Sequence, residues 1–204
     1  MSSSVFRFGL LLIALGRLVF AGKNRPAHIN GGKGPHNGYA IRQVITEQLL
    51  LETASDIYLK ITNSRGTNKE EIVEIHRALA RSVFTITPPG DSPTRKSFFD
   101  ALLLGSIPVI FRKGTYVFPH LHLEDLAIIL PEQEIIDGVG RSLVERLRAV
   151  ASEEIRRKQV EIAEIARMMQ YSIPTMHGEL EGMPVDAIAV ILNDLVLLRD
   201  ESLL

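Results

Sequence analysis

Short apolar runs alternate along this chain with longer segments in which apolar residues recur every three or four positions. The first run, Leu18–Ala21, reads as a short buried strand. Beyond it, Ile41, Val44, Ile45 and Leu49 mark one stripe of a helix. Ile57–Ile61 reads as a second strand, closed by a turn at Asn63-Ser64-Arg65-Gly66. Asn68 and Glu71 have the spacing of a capping box, and Ile72, Ile75 and Leu79 continue from it as a helical stripe. Ser82–Thr87 is the next predicted strand. A helix from Pro93 to Leu104 follows, with Ser92 as N-cap, Pro93 at the first helical position and Gly105 just past the end. Ile107–Phe111 is apolar throughout, as a strand covered on both faces should be, and Leu126–Leu130 repeats the pattern after a loop rich in His and Pro. Helices are then predicted over Ser142–Ala151, Glu153–Met169 and Val185–Leu198, with Pro174 and Pro184 between the last two. Ile188, Ile191, Leu192 and Leu195 share one face of the final helix. Alternating strand and helix units imply an α/β fold, a Rossmann-like parallel sheet with helices on both faces. Such sheets bind ligands beyond the carboxyl ends of their strands.

Composition narrows the chemistry. The 204 residues suit one domain, or one with a small appendage, and carry 23 basic against 24 acidic side chains for a formal charge of −1. No nucleic-acid stripe is present, so any anion site must be local. The chain has no Cys, which excludes disulfides, thiolate catalysis and Cys-held metals without fixing a compartment. It has no Trp and few aromatics, a poor platform for stacking single-stranded nucleic acid. The apolar run Phe8–Leu15, interrupted at Arg17, falls short of the roughly 20 residues that span a bilayer. Arg7 and Ala21-Gly22 would fit a signal peptide. If Leu18–Ala21 is instead a core strand, residues 1–16 form an irregular or signal-like leader and residues 17–204 the folded lobe.

The richest chemistry lies in Pro88-Pro89-Gly90-Asp91-Ser92-Pro93-Thr94-Arg95-Lys96-Ser97-Phe98-Phe99-Asp100-Ala101. A strand, a tight turn and a helix opening with hydroxyls and cations form an arrangement that can hold a phosphate. Gly90 would let the backbone approach a ligand closely. Thr94, Arg95 and Lys96 would supply amides, a hydroxyl and a fork of N–H donors to a diphosphate. Asp100, one turn deeper, accepts hydrogen bonds and so suits a sugar diol. The bland alternative is an ordinary cap, a simple turn and an i, i+4 surface pair between Lys96 and Asp100.

Residues 82–111 resemble the signature of the exostosin family of glycosyltransferases, with Phe84, Pro88, Gly90, Asp91, Ser92, Thr94, Arg95, Lys96, Phe99, Asp100, Ala101, Gly105, Ile107, Pro108 and Val109 in register. Phe20-Ala21-Gly22, Ile41-Arg42-Gln43 and Ile173-Pro174 extend the likeness over roughly residues 17 to 200. It is closest to the plant branch containing xyloglucan galactosyltransferases. The resemblance implies the carboxyl-terminal, donor-binding lobe of a GT-B enzyme that transfers a sugar from a nucleotide-sugar, UDP-linked by expectation, to a glycan or glycoprotein acceptor with inversion. It implies Gly22, Arg42, Gly90, Ser92, Thr94, Arg95, Lys96, Ser97 and Asp100 as donor-site residues. Arg42 and Arg95 would neutralise the diphosphate, Ser92, Thr94 and Ser97 would hydrogen-bond it or the sugar, and Asp100 would hold the ribose. No metal or cofactor is expected, and work in the Golgi is implied by the family alone. Two positions depart from the family pattern, Thr85 and Ser106, where cysteines are common. The amino-terminal lobe is expected to lie outside this chain, so no catalytic base is assigned. The alternatives are a non-catalytic lobe that works with a partner glycosyltransferase subunit, and a truncated gene model lacking the first lobe.

Two lesser signals weigh less. Gly31-Gly32-Lys33-Gly34 lacks the spacing of a P-loop and reads as a loop. His120 and His122 can share one face of an extended segment, but no third metal ligand stands near them in sequence.

Overall fold

The apolar runs assemble into one parallel sheet. In a computed structural model the described residues are 18–23, 39–52, 57–62, 69–89, 95–112, 122–171, 173–174, 180–181 and 186–201. The strands β1 (Leu18–Lys23), β2 (Ile57–Thr62), β3 (Phe84–Ile86), β4 (Ile107–Ile110) and β5 (Ile128–Ile129) form a five-stranded sheet in the order β2-β1-β3-β4-β5. Every pairing is parallel, with Leu18 beside both Ile57 and Phe84, and Phe84 beside Ile107. The segment at Leu18–Ala21 is therefore an interior strand. The crossover helices are α1 (Tyr39–Leu51), α2 (Lys69–Leu79), α3 (Lys96–Leu103) and the short α4 (Leu123–Leu126). Beyond β5 come α5 (Glu132–Ile136), α6 (Leu143–Arg148), α7 (Ser152–Ile165) with a 3-10 turn at Ala166–Met169, a small antiparallel pair β6 (Ile173–Pro174) and β7 (Leu180–Glu181), and α8 (Ala187–Glu201).

Strand order and right-handed crossovers put helices on both faces. Helix α1 packs with α5 and α6, whereas α3 packs with α2 and α7. The core runs through both layers and includes Ile41, Ile45, Phe98, Leu102, Ile107, Val109, Leu143 and Ile162. The sequence pattern had marked Ile41, Ile45 and Leu49 as one stripe, and all three are buried. Two short helices, α4 and α5, carry too few apolar positions to show a period. The stripe on α8 has a different fate. Ile188, Ile191, Leu192 and Leu195 are 48–59 % exposed, and at the start of the helix Ala187 N–H donates to the Gln170 carbonyl at 2.8 Å.

Local capping chemistry fixes several junctions. Ser142 and Glu145 form a reciprocal capping box on α6, and the backbone N–H of Ser142 holds the Glu145 carboxyl below its usual pKa. Asn68 of the predicted box lies outside the described residues, but α2 does begin directly after it. Lys158 of α7 is buried. Its ammonium donates to the Glu124 carbonyl of α4 and lies 3.7 Å from the Glu154 carboxylate, while desolvation pushes its pKa below the ordinary lysine value.

Helix α3 ends in a Schellman motif. Gly105 has φ +75°, a conformation glycine adopts without steric cost. Gly105 N–H donates to Leu102 and Ser106 N–H to Ala101, at 3.1 and 2.9 Å. That turn delivers Ser106 into the core, where its hydroxyl meets that of Thr85 at 2.7 Å. The two positions at which the exostosin pattern has cysteines are thus neighbours here, joined by a hydrogen bond. Thr85→Val should leave the Ser106 hydroxyl buried without its partner and cost about 1–3 kcal/mol. Thr85→Val with Ser106→Ala removes both polar groups and should lie closer to wild type. Urea midpoints of the two variants decide it: a double variant weaker than the single by a further full increment would show that the pair is not coupled.

Candidate functional site

All strands of the main sheet point their carboxyl ends the same way, and the order reverses between β1 and β3. The chain leaving β1 enters α1 on one face, and the chain leaving β3 enters α3 on the other. Such a switch point opens a crevice between two helix N-termini. Gly22 sits at the end of β1, paired with Ile61 of β2.

The exit of β3 is held from two directions. Thr87 donates its N–H and its hydroxyl to the Val109 carbonyl, at 2.9 and 2.8 Å. From across the switch point, Arg42 in the first turn of α1 donates Nε and Nη2 to the Pro89 carbonyl at 3.0 and 2.8 Å. Residues 82–89 are buried throughout. The sequence placed Arg42 among the diphosphate ligands. In the structure two of its nitrogens fasten α1 to the rim of the crevice.

The start of α3 differs from the sequence expectation. The helix begins at Lys96 rather than Pro93, and Arg95, not Ser92, occupies the N-cap with extended φ −127° and ψ 135°. The reason is packing. Phe98, Ala101 and Leu102 are the residues this helix buries, whereas residues 92–95 bring no large apolar side chain to extend that stripe backwards. Helices in proteins are held mainly by such a stripe. The first-turn amides are therefore those of Lys96, Ser97 and Phe98, of which Phe98 N–H already donates to the carbonyl of the half-buried Arg95 at 3.1 Å. The Arg95 side chain makes no capping hydrogen bond. Gly90, Ser92 and Thr94 lie outside the described residues, as do the loop at Gly31–Gly34 and His120. His122 is exposed just before α4. Among the described residues no group of three His, Asp or Glu can hold a metal ion.

Asp100 lies one turn into α3 with its side chain 21 % exposed. Lys96 donates to both of its carboxylate oxygens at 2.6 Å, from a side chain 78 % exposed. A second approach comes from α2, where His76 Nε2 is 3.9 Å from Oδ2. Motif reading did not single out His76, because only the packing of α2 on α3 brings it there. The Arg112–Glu132 pair was missed for the same reason. Arg112 follows β4 and Glu132 opens α5 beside the end of β5, and they form a two-pronged ion pair at the carboxyl edge. The hydrogen bond that Arg112 donates to Glu132 raises the Arg112 pKa.

The helices that follow β1 and β3 both begin at the carboxyl edge of a doubly wound sheet, the edge at which such folds take ligands. Comparison with known proteins agrees and is more specific. The profile described as the Exostosin GT47 domain matches residues 17–147. The chain belongs to this family. Xyloglucan-specific galacturonosyltransferase 1 of Arabidopsis thaliana is 39 % identical over 101 residues, 48 % of this chain and 15 % of that protein. Two probable xyloglucan galactosyltransferases of the same plant are 33 % identical over 150 residues and 26 % identical over 163, covering 71 % and 75 % of this chain. This chain spans between 15 % and 37 % of the length of these three relatives.

The fork from Arg42 gives a test of how the crevice is held. Arg42→Ala should cost about 1–2 kcal/mol of unfolding free energy. Arg42→Lys should regain less than half of it, because an ammonium cannot present two parallel N–H donors to one carbonyl. Urea unfolding of the three proteins measures this, and full recovery by lysine would show that charge alone matters.

Proposed function

We propose that this chain is the donor-binding lobe of a GT-B glycosyltransferase, taking a UDP-sugar in the crevice between α1 and α3. What supports the proposal is membership of the exostosin family together with the positions of Arg95 and Asp100 along α3, at its head and one turn in, on the helix that follows β3 at the switch point. The diphosphate would lie over the start of α3, with Arg95 beside it and the ribose diol on Asp100. As the acceptor hydroxyl attacks the anomeric carbon from the opposite face, the sugar–phosphate bond breaks and negative charge grows on the departing diphosphate. Guanidinium and helix amides stabilise that charge at the point where it develops. Inversion follows from single displacement, with the hydroxyl proton leaving to a base outside the groups assigned here. The relatives named for xyloglucan galactosyl and galacturonosyl transfer support a plant-type glycan acceptor. Work in the Golgi follows from this reading. Among the described residues no helix is long and apolar enough to cross a membrane.

Calorimetric titration with UDP tests the site. Arg95→Ala and Asp100→Ala should each weaken binding about tenfold or more, the scale of one charge-assisted hydrogen bond. Affinity unmoved by both substitutions would end the proposal.

A second reading, a lobe that acts through a partner rather than by catalysis, draws on the uncovered stripe of α8. A covering lobe should bury it, since contiguous exposed aliphatic side chains mark interaction surfaces. Light scattering should then show an assembly that Leu192→Glu with Leu195→Glu dissociates, and a monomer at all concentrations removes this reading.

A further inference from the structure

The carboxylate assigned to the ribose is already engaged. Lys96 Nζ lies 2.6 Å from both oxygens of Asp100, so the ammonium takes one acceptor site on each oxygen and competes with a sugar diol for the carboxylate. The backbone that carries this side chain is the first residue of α3, at the turn over which the diphosphate would sit. One cation therefore has two anionic claimants on one helix, four residues apart. Its side chain is 78 % exposed and free to swing, whereas Asp100 is 21 % exposed and has His76 Nε2 3.9 Å away. An exposed i, i+4 ion pair is weak, and a diphosphate carries more charge than a carboxylate.

We propose that Lys96 is a specificity residue that hands over between the two: in the empty site it closes Asp100, and on binding it moves to the diphosphate and releases Asp100 to the ribose. The inference rests on the donor reading above. It makes the diphosphate the key to the ribose subsite, so a nucleoside lacking phosphates meets a closed carboxylate and is discriminated against.

The handover predicts opposite signs for two ligands in one variant. With the full chain, Lys96→Met keeps the aliphatic stem and removes the charge. UDP should bind about fivefold or more weakly, as a phosphate loses a cation. Uridine should bind about two- to threefold more tightly, the scale of the ion pair it no longer has to displace. Added salt gives an independent readout. It should improve uridine binding to the wild type by screening the pair and leave uridine binding to Lys96→Met unchanged. Uridine affinity that falls or stays level in Lys96→Met, while UDP still binds the wild type, overturns the handover alone. A wild type that binds no UDP overturns the donor reading and the handover together.

Discussion

The side-by-side pairing of β1 with β3 is the constraint on which the site depends. Leu18 lies beside Phe84 and Val19 beside Thr85, in parallel register, so both strands end at the same edge. Their following helices must then leave toward opposite faces, because β2 and β4 lie on opposite sides of the pair. No side chain has to create the crevice; strand order does. Side chains decide what it holds and how firmly its rim is fixed. The Arg42 fork joins the two halves of that rim, reaching from the first turn of α1 to a carbonyl just past β3.

The chain's near balance of charge, 23 basic to 24 acidic side chains, makes this local arrangement decisive. Screening in physiological salt confines exposed charges to about 8 Å of influence. On the proposed reading a nucleotide diphosphate would not be drawn in by the protein as a whole. It would respond to the few cations within reach, one of which, Lys96, is paired with Asp100.

How much of this was legible in the sequence depended on the range of each interaction. Elements whose own residues are periodic were readable: the buried stripe Ile41–Ile45–Leu49, the apolar run at Ile107, and Gly105 as a helix terminator. The parallel sheet followed from the alternation of units. The start of α3 was misread because Ser92-Pro93 is a strong local cap signal, whereas the observed boundary is set by where Phe98 and Leu102 find a core. Arg42 was legible as a cation at the site but not as a donor to a carbonyl 47 positions away. His76 and the Arg112–Glu132 pair owe their positions to helix packing and sheet order, for which no short motif exists. The resemblance supplied the ligand class, which periodicity cannot.

The precision of the α3 mouth has its origin at the opposite end of that helix. Arg95 contributes no side-chain cap, and its hold on the first turn is the backbone bond from Phe98 N–H to its carbonyl. The carboxyl-terminal end is fixed by the Schellman bonds of Gly105 and Ser106 and by the hydroxyl pair that ties Ser106 to Thr85 on β3. Eight residues of helix extend only about 12 Å, and helices are stiff over that length. A pin at one end therefore determines where Asp100 and the first-turn amides stand at the other. The same strand, β3, carries Thr85 at the pin and leads through Thr87 to Pro89 at the rim, so both ends of the site are referenced to one buried strand. What Thr85 and Ser106 supply is a short, buried link between β3 and the end of α3, a 2.7 Å hydrogen bond.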